Sequence, residues 1–389
     1  MAGIGAPRVL VDGAFTGPTS VNVEQGRITG VTEGLADSDG VRLPHGVLTP
    51  GLIDLQLNGA FGHDFVAADA TGWREVAARL PSTGVTAFCP TFITGDLDTL
   101  TTALVRAAEL RAKFAPEPIA RDLGVHLEGP FLSPARVGTH PPKYLREPTP
   151  ELVDRLLVDD TVREALTLIT LAPELPGALE AIRRIVATGI RVSAGHTDAT
   201  ASEMSAAADA GATMVTHLFN AQRGLGHREP GVVGAALSDP RLTPGLIADL
   251  HHVVGPVCSL VLRVAGERTA LVTDAMAAAG MPPGRYRLGD VDVTLAAGDV
   301  PRNPDGTIAG SALTLDLAVR NLVALGNPPA KVLTSATRVP ADALGRTDLG
   351  RIEPGAQADL VWWSDDWMVL KTWVGGVVAY EVGAEGLGG

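Results

Sequence analysis

Cysteine is almost absent from this 389-residue chain: only Cys89 and Cys258 occur, far apart and in the apolar settings VTAFCPTF and VVGPVCSLVL. That spacing excludes a cysteine metal cluster and fits free, buried thiols of a cytoplasmic protein. Lysine occurs only four times, and Lys plus Arg number 31 against 44 Asp plus Glu, for a formal charge of −13. The charges are scattered, with no basic stripe, so a nucleic-acid partner is not expected, whereas a small anionic substrate is compatible. No apolar run reaches the roughly 20 residues that span a bilayer. The opening MAGIGAPRVLVDGAF lacks a basic stretch followed by an apolar core, so neither a signal peptide nor a membrane partner is expected. No GxGxxG follows the first strand of the central repeat, which counts against a doubly wound dinucleotide fold.

What is present is apolar: 46% of residues are hydrophobic and 19% charged, enough for a large core. The length fits a barrel of about 250 residues with additions. Both ends read as short strands joined by Gly-marked turns, RVLVDG and VNVEQGRITGVTEG at the start and LGRIEPGAQADLVWWSDDWMVLKTWVGGVVAY at the end. They are expected to form one small β-sandwich from residues 1–49 and 348–389. Residues 50–347 alternate short apolar runs with Ala- and Leu-rich helical stretches. The runs are GVLTPGLIDLQLN, GVTAFCPTF, DLGVHLEG, ALTLITLAPE, IRVSAGHTD, ATMVTHLFN, LTPGLIADLHH and TALVTDAM. Eight strand–helix units predict a closed (β/α)8 TIM-type barrel. A β excursion is expected at about 282–310, with Gly306 to Ser311 read as a structural hairpin in preference to a lid.

Gln56, Asn58, Glu128, His196, His217, Asp249, His252 and Asp274 fall at or just past the C-terminal ends of these runs. In a (β/α)8 barrel that rim carries the active site. Taken singly, Glu128 reads as a turn residue, His196 as a helix cap, His217 as a core histidine and Asp274 as the cap of a helix over AMAAAG. Together, Glu128, His196 and His217 offer two imidazoles and one carboxylate, a set of the kind that holds catalytic zinc and leaves a position open. His126, two residues before Glu128 on the same strand face, is expected to lie deeper and to orient Glu128.

The stretches PGLIDLQLNG, HLEGPF with GTH, SAGHTDA, THLFNA with REPG, LIADLHHV, LVTDA and GSALTLD occur in the order of the N-acetylglucosamine-6-phosphate deacetylases of the amidohydrolase superfamily. The chain resembles that family from about Pro50 to Asp316, and GRIEPGAQADLV resembles the superfamily's β domain. The resemblance implies a divalent metal, most simply Zn2+, on Glu128, His196 and His217, with Asp274 as the catalytic acid/base. It implies His252 near the acetyl carbonyl, and His140 with the Asn220–Ala221 backbone around the sugar phosphate. It further implies a homodimer in which Arg228 reaches the partner's substrate phosphate. Where many amidohydrolases carry His-x-His, this chain has Gln56-Leu57-Asn58. Amides are poor zinc ligands, so one metal per subunit is expected, with Gln56 and Asn58 behind it or marking a vestigial second site. LIADLHHV departs from the family's Asp-Gly-x-His-x-Asp pattern. Strand alternation lets only one of His251 and His252 face the site, and His252 is the choice.

The activity so implied is removal of acetate from N-acetylglucosamine 6-phosphate, in amino-sugar catabolism or recycling. A dihydroorotase- or deaminase-like enzyme would want His-x-His and often a bridging lysine, and no lysine lies in any of the eight runs. A non-catalytic scaffold would have lost ligands or the last aspartate. A galactosamine epimer as substrate is not separable on these residues.

Overall fold

The computed structural model describes residues 3–35 and 40–383. Eight parallel strands follow one another around a ring: β1 (Leu52–Leu57), β2 (Val85–Ile93), β3 (Val125–Glu128), β4 (Leu166–Leu171), β5 (Arg191–Ala194), β6 (Met214–Val215), β7 (Thr243–Ile247) and β8 (Ala270–Val272). Each pairs in parallel with its neighbour in sequence from β1 to β8. Closure between β8 and β1 is made just past the strand ends, by a parallel bridge of Leu57 with Ala275 and by the Asp274 N–H on the Gln56 carbonyl. Strands covered on both faces read as near-continuous apolar runs, and all nine residues of β2 are buried. Helices pack outside. Helix Leu97–Phe114 turns Leu100, Ala103, Leu104, Ala107, Leu110 and Phe114 inward at three- and four-residue spacing. Helix Ala201–Ala210 starts at a Thr200–Glu203 capping box.

The expected first strand, GVLTPGLIDLQLN, is in fact two. Val47–Pro50 pairs with Leu360–Trp363 in a six-stranded sheet built from both ends of the chain, and only Leu52–Leu57 enters the barrel. Gly51 sits between them because a β-carbon there would lie 2.0 Å from Thr86 Oγ1. That sheet faces a four-stranded one of Arg27–Glu33, Thr19–Glu24, Ile4–Ala6 and Val41–Arg42. Ile4, Val21, Leu48, Leu360 and Trp373 fill the layer between.

After β8 the chain makes an antiparallel hairpin, β9 (Gly284–Leu288) and β10 (Val291–Leu295). Leu288, Val293, Leu295 and Ala309 pack with Ile93 and Met276 as a small separate cluster. The Gly289 N–H donates to Asp64 Oδ2 at 2.9 Å, which ties the hairpin to the segment after β1. Among the described residues no helix is long and apolar enough to cross a membrane.

Candidate active site

The strands deliver the expected residues to one end. Glu128 is the last residue of β3, and His196, His217 and Asp274 each lie two residues beyond β5, β6 and β8. These last three adopt left-handed backbone, with φ of 47°, 25° and 49°. A side chain there costs about 1–3 kcal/mol, so each strand stops abruptly and its polar residue turns in over the barrel mouth. No helix starts at either position that sequence reading could take for a cap. Helix Ala201–Ala210 is capped by Thr200, and Asp274 is followed by a turn.

Glu128, His196 and His217 are buried and converge. His217 Nε2 lies 2.9 Å from Glu128 Oε1, His196 Nε2 3.2 Å from the same oxygen, and the two Nε2 atoms 3.1 Å apart. Three such donor atoms repel unless a proton or a cation sits among them. Their separations approach the roughly 3.3 Å edge of a tetrahedron with bonds of about 2.0 Å, as zinc forms with nitrogen and oxygen. The His196 Nδ1 faces the Arg136 carbonyl at 3.0 Å, so Nδ1 carries the proton and Nε2 offers its lone pair inward. The set therefore fits a divalent cation. Burial pushes the Glu128 carboxyl up, but the hydrogen bonds and charge of His196 and His217 outweigh it and hold Glu128 well below the usual carboxylate range. Burial likewise works against a charged His217, and Glu128 raises it nonetheless.

Gln56 and Asn58 are not placed as ligands. Gln56 Nε2 donates to both Glu128 Oε1 and Asp274 Oδ1 at 3.2 Å, and Asn58 Nδ2 donates to Asp274 Oδ1 at 2.7 Å. Glu128, His196 and His217 form the one group of three or more candidate ligands among the described residues. Burial, then the neighbouring charge of Glu128, pushes Asp274 up to about 6.

His252 lines the cavity and His251 is exposed, as chosen from the sequence, but strand alternation is not the reason. β7 ends at Ile247, and both histidines lie in the turn that follows. Asp249 Oδ1 accepts the N–H groups of His251 and His252, and Asp249 Oδ2 holds His252 Nδ1 at 2.6 Å. His140 is buried, with its Nδ1 2.9 Å from Thr94 Oγ1 and its Nε2 facing Glu128 Oε2, 3.9 Å away. Burial, then His196, pushes His140 down to about 3, so it is neutral at physiological pH. His126 makes its hydrogen bonds elsewhere than on Glu128. Its ring is anchored to the Leu55 carbonyl at 3.1 Å and Thr170 Oγ1 at 2.7 Å, one layer below.

A cavity of about 490 Å3 opens above these groups. Asn220, Ala221, His140, His252 and Asp274 line it, and so do Leu288, Thr307, Ile308 and Gly310. The segment expected to be a structural hairpin thus forms part of the cavity wall. Arg228 is exposed and is not brought to the cavity by its own chain, whereas Arg136 is the lining cation. Sequence reading passed over Arg136, although it lies two residues before the GTH motif. Asp198 accepts from Arg136 Nη2 at 2.7 Å and from Arg223 Nη2 at 2.6 Å.

The sequence profile of the amidohydrolase family matches residues 47–379. The chain belongs to the amidohydrolase family. Among its relatives within that family, an N-acetylgalactosamine-6-phosphate deacetylase of Escherichia coli O157:H7 is 40% identical, covering 86% of this chain and 88% of its own. An N-acetylglucosamine-6-phosphate deacetylase of Vibrio furnissii is 38% identical over 92% and 90%. A mutant N-acetyl-D-glucosamine-6-phosphate deacetylase from Mycobacterium smegmatis, solved with N-acetyl-D-glucosamine-6-phosphate, superposes with a TM-score of 0.91 at 34% identity. That match covers 97% of this amidohydrolase and 99% of the other chain.

Proposed function

We propose that the protein hydrolyses N-acetyl-D-glucosamine 6-phosphate to glucosamine 6-phosphate and acetate. The observation that carries this reading is a buried Glu128–His196–His217 set beside a raised, hydrogen-bonded Asp274, beneath a sugar-sized cavity. One Zn2+ per subunit is the cation proposed for the set. When bound, it would supply a Lewis acid that polarises the acetyl carbonyl and makes water acidic enough to ionise near neutral pH. Asp274, with Oδ1 fixed by Gln56 and Asn58, takes the proton from the attacking water and returns it to the departing amine. His252, its ring held at Nδ1 by Asp249 Oδ2, stands where it faces the acetyl carbonyl oxygen and steadies the charge that develops there. The neutral His140 and the Asn220–Ala221 backbone hold the sugar phosphate.

Acetate release from N-acetylglucosamine 6-phosphate, abolished by chelator and restored by zinc, is the expected result. The galactosamine epimer belongs in the same assay, since relatives with either name match. No release from folded, zinc-loaded protein with either sugar would sink the reading. A base must be ionised, so with Asp274 raised to about 6, kcat/KM falls about tenfold per pH unit below that limb. A bound cation moves the limb lower, and a pH–rate profile whose acidic limb is unchanged in Asp274→Asn contradicts the assignment.

A homodimer, with Arg228 crossing to the partner's phosphate, belongs to the same reading. Arg228 is exposed, and Leu225, three residues before it, is 60% exposed. Arg228→Ala is expected to raise KM for the phosphorylated sugar about 10–100-fold, as loss of a charged hydrogen bond does. Mixing Arg228→Ala and Asp274→Asn subunits then regenerates one intact site per hybrid dimer. No recovery on mixing would place Arg228 outside the partner's site. Residues 1–49 with 348–389 are taken as the sandwich unit and 50–347 as the barrel. The two free, buried cysteines support a cytoplasmic setting.

A further inference from the structure

We propose that Thr273 and Ser311, backed by the buried carboxyl of Asp54, are positioning residues for Asp274. The inference rests on the reading of Asp274 as the proton-transfer group. It starts from the strain at that residue. At φ 49° an aspartate is held in a conformation it adopts reluctantly, so its surroundings must over-determine it.

The hydrogen-bond accounting around residues 273–276 is complete. The Thr273 N–H donates to Asp54 Oδ1 at 3.2 Å, and Thr273 Oγ1 lies 2.6 Å from Asp54 Oδ2. Ser311 Oγ donates to the Thr273 carbonyl at 2.6 Å. The Asp274 N–H donates to the Gln56 carbonyl at 2.9 Å, and the Ser311 N–H to the Asp274 carbonyl at 2.8 Å. The Ala275 N–H donates to Thr273 Oγ1, the Ala275 carbonyl accepts from Asn58, and the Met276 N–H donates to the Ser311 carbonyl. Asp54, Thr273 and Ser311 are all at most 2% exposed. Two hydroxyls and one carboxyl, from positions 54, 273 and 311, thus pin the peptide on each side of Asp274.

Ser311 does more than fill a donor. It ends the segment whose Thr307, Ile308 and Gly310 wall the cavity, and it makes N–H, Oγ and carbonyl bonds to the strand end. Gly310 lies so close that a β-carbon would meet the Asp274 carbonyl oxygen at 3.0 Å. The wall over the substrate and the aspartate beneath it are therefore one hydrogen-bonded unit. Asp54 tethers the same unit to β1, whose Gln56, with Asn58 just past the strand end, holds the Asp274 carboxylate itself.

Thr273→Val keeps the shape and removes the hydroxyl, Thr273→Ser restores it, and Ser311→Ala removes the second. Displacing a catalytic group by a fraction of an ångström to one ångström costs up to about 100-fold. Thr273→Val and Ser311→Ala are expected to lower kcat about 10–100-fold, with KM and metal content within about twofold. Thr273→Ser should retain kcat within about threefold of the parent. The deciding arm is the Asp274→Asn background, where neither change should cost anything further, because no carboxylate remains to be placed. Full kcat in both single variants, or equal fractional losses with and without Asp274, would overturn the proposal. So would a kcat loss matched by falls in Tm and metal content. An inactive parent protein, or an active Asp274→Asn variant, would instead count against the reading of Asp274 on which the inference rests.

Discussion

Asp274→Asn is expected to lower kcat by about 10²–10⁴-fold, the usual worth of a positioned acid/base, in a protein that still folds and binds metal. Three features of the site support a clean result. Asn tolerates left-handed backbone better than most residues, so the strained φ of 49° is no obstacle to folding. Its Oδ1 accepts from Gln56 and Asn58 as the carboxylate does. The change also removes a charge that burial disfavours, so Tm should be unchanged or higher. Acetate release, Tm and metal content measured together separate the outcomes. Activity within about tenfold of the parent would show that the proton moves by another route.

Glu128→Gln is the second large effect expected. Glu128 Oε1 is the atom on which both histidine nitrogens converge, at 2.9 and 3.2 Å. An amide keeps the volume and loses the charge, and neutral amides bind zinc poorly. Loss of metal should exceed the roughly 10–100-fold penalty typical of residues that merely support a ligand. Activity should vanish with it. The supporting residues give the contrast: Gln56→Ala removes a donor to Glu128 and Asp274 and should fall within that smaller range. Metal content after dialysis is the readout, and a Glu128→Gln protein that kept a full equivalent would exclude Glu128 from the set.

Much of this site is legible in the chain because its signals are local. Strand–helix alternation names the barrel, and a polar residue at the end of an apolar run names a rim position. Glu128, His196, His217 and Asp274 were all reachable as rim positions that way, and a family resemblance in seven ordered stretches supplied the roles proposed for them. Signals set by distant contacts were not reachable. The run GVLTPGLIDLQLN gives no sign that it divides between two sheets, because Gly51 is dictated by Thr86 on the neighbouring strand. His252 faces the cavity because Asp249 captures two N–H groups and folds a turn, not because a strand alternates. His126 has the strand spacing to support Glu128, yet its partners are Leu55 and Thr170.

Periodicity of two along a strand and the chemistry of imidazole and carboxylate are properties of neighbouring residues. They suffice to predict a barrel, its rim and the residue types of a metal set. The left-handed turns at His196, His217 and Asp274, the Ser311 clamp and the cavity wall from 307 to 310 depend on hydrogen bonds between segments far apart in the chain. No propensity encodes such a bond, since both partners acquire their positions only when the barrel closes.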